Sequence, residues 1–126
     1  MKIILTQEES ENIFFNALCN GRGLHSFLFI EVNEEEYQLG KKHFQEKNQL
    51  CSLEDVWMQI LRNGGTLTLV DTEDGESPCT ITLKDVHDKV QNTDIKHLMD
   101  AINENDDAIT ADVVLQTVFY GEVIFG

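Results

Sequence analysis

Residues 52–86 read SLEDVWMQILRNGGTLTLVDTEDGESPCTITLKDV, and the fold class follows from how this stretch divides. Leu53, Val56, Trp57, Ile60 and Leu61 recur at the spacing that gathers side chains on one face of a 3.6-residue helix. Ser52 caps the first turn and Asp55, three residues on, answers it, a shorter-armed form of the Ser/Thr-x-x-Glu box. Gly64 and Gly65 end the helix. A hairpin over residues 66–83 follows. A two-residue Asp74-Gly75 turn would set Leu67 and Leu69 opposite Thr82 and Thr80, splitting the apolar set over both faces. A three-residue Glu73-Asp74-Gly75 loop instead pairs Leu69 with Cys79 and Leu67 with Ile81, and a one-residue slip would turn every side chain to the wrong side. The second register is expected. Pro78 lacks an N–H for a ladder, so its strand begins as an edge.

Outward from this unit the chain supplies further helices. Lys2 to Leu5 is read as a short strand. Thr6-Gln7-Glu8-Glu9 forms a full capping box, and Ile13, Phe14, Ala17 and Leu18 give a core face, predicting a helix from Thr6 to Asn20 that ends near Gly21. Leu24 to Val32 contains the apolar run Phe27-Leu28-Phe29-Ile30, which suits a strand covered on both faces and is expected in the middle of the sheet. Asn33 with Glu34, Glu35 and Glu36 opens another helix running to about Lys47, whose C-terminal end is complemented by Lys41, Lys42 and Lys47.

Downstream, Val86 and Val90 place a short helix behind a Thr82 cap. Thr93 or Asp94 caps the next, with Ile95, Leu98, Met99 and Ile102 expected to face inward. Asn103 to Asp107 is turn-like. Ala108 to Tyr120 is apolar on most sides; its valines favour a strand locally, yet thirteen residues with Ala108, Ala111, Leu115, Val118 and Phe119 on one face suit a buried helix. Gly121 stops it, and Val123-Ile124-Phe125 is read as a last short strand. The expectation is an α+β class with five or six helices around a small, mostly antiparallel sheet.

At 126 residues the chain is expected to be a single domain, 1–126, able to bury a core without metal or disulfides. Three cysteines, Cys19, Cys51 and Cys79, with no C-x-x-C pair, read as buried reduced thiols of a cytoplasmic protein. Only three apolar residues follow Met1-Lys2, too few for a signal core or a membrane span. Charge is the outlier: 9 basic against 23 acidic residues give −14. Residues 66–126 hold thirteen of the acids against three lysines. Such a field repels nucleic acid and anionic membranes and attracts basic partners.

The order helix, strand, helix, helix, strand, loop, strand over residues 6–83 resembles the winged helix, a variant of the helix-turn-helix. The resemblance implies that Ser52 to Asn63 is a recognition helix and Asp71 to Glu76 a wing tip. Their charges argue against the usual use. The helix carries Glu54 and Asp55 against Arg62, and the tip carries Asp71, Glu73, Asp74 and Glu76 with no base, so both surfaces push phosphate away.

No catalytic signature emerges. The Gly21-Arg22-Gly23 turn lacks the Lys-Ser/Thr pair of a phosphate loop. Cys19 with His25 or His43 is better explained by an inert core thiol than by a nucleophile. Asp85, His87 and Asp88, and Asp94, His97 and Asp100 at i, i+3 and i+6, have the donor types of a zinc or iron site without an H-x-x-x-H spacing. Residues 71–76 lack the bidentate Glu of a calcium loop.

The expected function is therefore a non-enzymatic interaction module, without cofactor, that engages a basic protein partner through Asp71, Glu73, Asp74, Glu76, Asp100, Asp106 and Asp107. One alternative is a nucleic-acid mimic whose carboxylate stripe, extended by Glu104 and Asp112, fills the basic cleft of a DNA- or RNA-binding protein. A small metal-binding protein is the other. Homo-oligomerisation is expected to use Val123, Ile124 and Phe125 as an edge.

Overall fold

The computed structural model describes residues 3–21, 28–73, 78–105 and 107–125. Six α-helices and three strands appear among them, in the order α1 (Gln7–Gly21), β1 (Leu28–Glu31), α2 (Glu34–Glu46), α3 (Leu53–Arg62), β2 (Leu67–Asp71), β3 (Cys79–Ile81), α4 (Leu83–Lys89), α5 (Ile95–Ile102) and α6 (Ala108–Tyr120). A short 3-10 turn, Val90–Asn92, joins α4 to the segment before α5. The sheet is wholly antiparallel, so the class is α+β.

The local signals place most boundaries. At α1 the Thr6 amide donates to Glu9 Oε1 at 2.8 Å while the Glu9 amide donates to Thr6 Oγ1 at 3.1 Å. Ser52 and Asp55 repeat the exchange at α3, at 2.9 and 3.2 Å. Asn33 Oδ1 takes the amides of Glu35 and Glu36 at the start of α2. Each bond satisfies a donor that has no partner inside its helix. Gly64, just past α3, has φ +92°, a conformation that suits glycine.

The hairpin has the register that buries its apolar face: Leu67 lies opposite Ile81 and Leu69 opposite Cys79. Its turn at Asp74-Gly75 falls outside the described residues. On the other face Thr68 and Thr80 share a hydrogen bond of 2.8 Å between their hydroxyls. The strand order is β1-β2-β3, which corrects the expected middle strand. β2 is central and β1 is an edge, four residues long, with Phe29 45% exposed. An unbroken apolar run does not decide whether both faces are covered, because that depends on which elements pack against each face of the sheet. Residues 24–27 of that reading lie outside the described part. Residues 3–5 form no strand; instead the Leu5 amide donates to the Gln91 side chain at 3.3 Å.

The centre of the molecule is α6. All ten residues from Thr110 to Phe119 are buried, a helix covered on every side rather than one with a single inward stripe. Burial of this extent overrides the local strand preference of Val113, Val114 and Val118. Asp107 Oδ1 accepts the Thr110 amide at 2.9 Å to start the helix, and Thr117 Oγ1 donates to the Val113 carbonyl at 2.7 Å within it. The most extensive packing in the molecule is of α1 against α6, where the rings of Phe14 and Phe119 lie 6.1 Å apart. Gly21 is buried there: a Cβ would stand 3.0 Å from the backbone of Ala111 and Asp112. Trp57, Ile60 and Leu61 of α3, Leu67 and Ile81 of the hairpin, and Val86, Val90 and Leu98 complete one core.

Two further expectations change. Cys19 and Cys51 are exposed and Cys79 is half-buried, since the apolar neighbours of Cys19 take the inner face of α1 and leave the thiol on the outer one. Val123 to Phe125 form no strand. The Gln116 side chain, buried in α6, binds their backbone: Gln116 Oε1 accepts from the Ile124 and Phe125 amides at 2.7 and 2.8 Å, and Gln116 Nε2 donates to the Phe125 carbonyl at 3.0 Å.

Candidate functional site

The acids expected to form the site do not lie on one element. Asp71 ends β2, where its Oδ1 accepts the Glu73 amide at 2.9 Å, and Glu73 itself is exposed. Asp74 and Glu76 lie outside the described residues, as does Asp106. Asp100 is half-buried on α5, and Asp107 is the exposed N-cap of α6. Asp100 and Asp107 therefore share the α5–α6 corner, whereas Asp71 ends β2 and Glu73 lies in the bend that follows it. The Asp107 carboxyl is held below the ordinary aspartate range, chiefly by the Thr110 amide. Part of its role is thus to cap a helix.

Asp112, expected in the acidic stripe, is 7% exposed and accepts from Gln116 Nε2 at 2.7 Å. Its place on the all-round buried helix takes it off the surface, which shortens the stripe a nucleic-acid mimic would need.

His87 and His97 pair with groups other than the carboxylates that flank them in sequence. His87 Nε2 lies 2.9 Å from Glu11 Oε2, and Glu11 Oε1 accepts from Arg62 Nε at 3.0 Å, so one carboxylate joins α1, α3 and α4. Burial pushes the Glu11 carboxyl up, but the hydrogen bonds from His87 and Arg62 and the Arg62 charge outweigh it and hold the carboxyl below the ordinary range. His97 Nδ1 pairs with Thr110 Oγ1 at 2.9 Å, tying α5 to the first turn of α6. Among the described residues no three His, Cys, Asp or Glu side chains are grouped to hold a metal ion.

The α5 helix departs most from expectation. Of the four apolar residues expected inside, only Leu98 is buried; Ile95, Met99 and Ile102 are 45, 42 and 38% exposed. Spacings of i, i+4 and i+7 put these three on one side of the helix. Two turns that touch α6 along one line can cover only one such line. The periodicity gave a face but not the neighbour that would cover it.

Beside this strip a groove of about 180 Å³ separates α5 from α1. Ile13, Ala101 and Ile102 contribute its apolar lining, Glu9 and Glu104 its carboxylates, and Asn12 and Asn16 two neutral amides. Glu104 follows α5 with φ +58°, a left-handed conformation that side chains other than Gly and Asn rarely take. A second, smaller cavity of about 30 Å³ lies between β1 and α6, lined by Leu28, Leu69, Leu115 and Phe119 with Asp112 and Gln116. Of its polar residues, Gln116 binds the C-terminal tail and Asp112 accepts from Gln116.

Among the described residues no helix is long and apolar enough to cross a membrane. No family model, no curated protein and no solved structure matches the chain.

Proposed function

We propose that this protein is a non-enzymatic interaction module that engages a basic protein partner through its C-terminal half, at the corner of α5 and α6. The observation that supports the reading is the exposure of Ile95, Met99 and Ile102 along one side of α5. Full burial of an aliphatic side chain is worth about 1.5–3 kcal/mol. Each of the three, left close to half exposed, holds roughly 1 kcal/mol in reserve for a covering surface. An exposed apolar strip bordered by polar groups is a common mark of a protein-binding site.

Charge sets the kind of partner. Residues 94–109 carry Asp94, Asp100, Glu104, Asp106 and Asp107 against Lys96 alone. Carboxylates around an apolar strip add little affinity through exposed pairs, but they speed the approach of a basic surface and turn away acidic ones. The same field disfavours direct contact with nucleic acid.

Capture on immobilised protein from a lysate of the native host tests this reading, with Met99→Ser/Ile102→Ser and Asp100→Asn/Asp107→Asn as companions. Asparagine keeps the helix cap while removing the charge. The wild type is expected to retain a basic protein that elutes with salt, and both variants are expected to lose it with their melting temperatures little changed. Retention of the same proteins by all three would end the proposal.

A further inference from the structure

We infer that the groove between α1 and α5 receives the arginine or lysine of an amphipathic partner helix whose apolar face covers Ile95, Met99 and Ile102. This rests on the reading above and specifies the occupant. Ile102 belongs to both surfaces, lining the groove and ending the strip. One partner element can therefore fill both at once.

The dimensions favour a helix. From Ile95 to Ile102 the strip extends about 10 Å along α5, at 1.5 Å per residue. A helix lying beside it would set its own ridges between those of α1 and α5, the usual way helices pack. Its residues at i, i+3 or i+4, and i+7 would meet the three exposed side chains, as in other helix-in-groove complexes.

The groove's chemistry favours a long cationic side chain. Ile13, Ala101 and Ile102 offer apolar surface to methylenes, and Glu9 and Glu104 offer carboxylates to the charged head. Lysine and arginine divide in this way, with an apolar stem and a polar tip. Glu9 is oriented by its reach back to the Thr6 amide at 2.8 Å. An acidic side chain would meet both carboxylates as like charges, and a purely apolar one would pair with neither.

The test uses an 18-residue helical peptide with leucines on one face and two arginines bordering them, and a twin in which citrulline replaces arginine. Citrulline keeps the shape and loses the charge. Both are titrated into labelled protein and followed by methyl NMR, with wild type and with Glu9→Gln/Glu104→Gln. Glutamine at position 9 still completes the capping box. The arginine peptide is expected to saturate with shifts at Ile13, Ile95, Met99, Ala101 and Ile102, and to bind about tenfold tighter than its twin, the usual worth of a charge-assisted bond. In the double variant the two peptides should bind alike. Equal binding of both peptides to wild type, with shifts at Ile95 and Met99, would overturn the cationic anchor and leave the α5 docking reading standing. Absence of saturable shifts on α5 would overturn both.

Discussion

The side-chain amide of Gln116 takes the place of a neighbouring strand for Phe125, accepting its N–H at 2.8 Å and donating to its carbonyl at 3.0 Å. Gln116 is 1% exposed, and its two donors and two acceptor sites are taken up by Asp112, Ile124 and Phe125. Gln116→Ala is expected to cost about 1–3 kcal/mol in urea unfolding, the usual penalty for partly buried polar groups that lose their partner. Hydrogen exchange gives a local check: the Ile124 and Phe125 amides should be protected in wild type and exchange freely in the variant. An unchanged exchange rate would mean the tail is held by other contacts.

Glu11 is bonded to two basic side chains from different helices, Arg62 and His87, and its weight in stability depends on pH. Its folded pKa lies below the ordinary value. Its contribution is therefore present above the ordinary glutamate range and lost as the pH falls through that range toward the folded pKa. Glu11→Gln is expected to cost about 1–2 kcal/mol at neutral pH, and that difference from wild type should shrink in acid. Thermal melts over an acid-to-neutral series measure it; a difference that does not vary with pH would remove the ion-pair account.

Gly21 stands at a close approach of α1 to α6. A Cβ at 3.0 Å from backbone atoms cannot be relieved by rotating a side chain, so one of the two helices must move. Gly21→Ala should destabilise by about 1–3 kcal/mol, although alanine is the better helix former. A stabilised Gly21→Ala protein would show that the helices separate at little cost.

Glu104 presents the opposite case. Its left-handed backbone costs a side-chain-bearing residue roughly 1–2 kcal/mol relative to glycine. Glu104→Gly is expected to add about 1 kcal/mol of stability in denaturant unfolding and, if the groove is used as inferred, to weaken binding of the arginine peptide. Greater stability with unchanged peptide affinity would separate the strain from the binding.

Much of the fold is legible in short stretches, because capping and turn chemistry act over three or four residues. Thr6 with Glu9, Asn33 with the amides of Glu35 and Glu36, and Ser52 with Asp55 all bond as their spacing implies. The register of Leu67 with Ile81 follows from one apolar face. What could not be read are facts about which element lies beside which. Nothing local to Glu11 points to Arg62 or His87, which come from helices far along the chain, and nothing in Gln116 announces that its partners are Ile124 and Phe125. The site divides in the same way. Acid crowding near Asp100 and Asp107 is visible in composition, whereas the exposure of Ile95, Met99 and Ile102 is not, because a 3.6-residue period does not distinguish a covered face from an open one.

The partnership of α1 with α6 also governs when this molecule can fold. The first helix finds its principal cover in a segment roughly a hundred residues later, and contacts that distant in sequence slow the search for the native state. During synthesis residues 7–21 lack their largest partner until residues 108–120 have left the ribosome, with the packing of α3 and α4 on offer before then. That interval is when Phe14 and Leu18 are open to aggregation or to a chaperone, and a translational pause before position 108 would lengthen it.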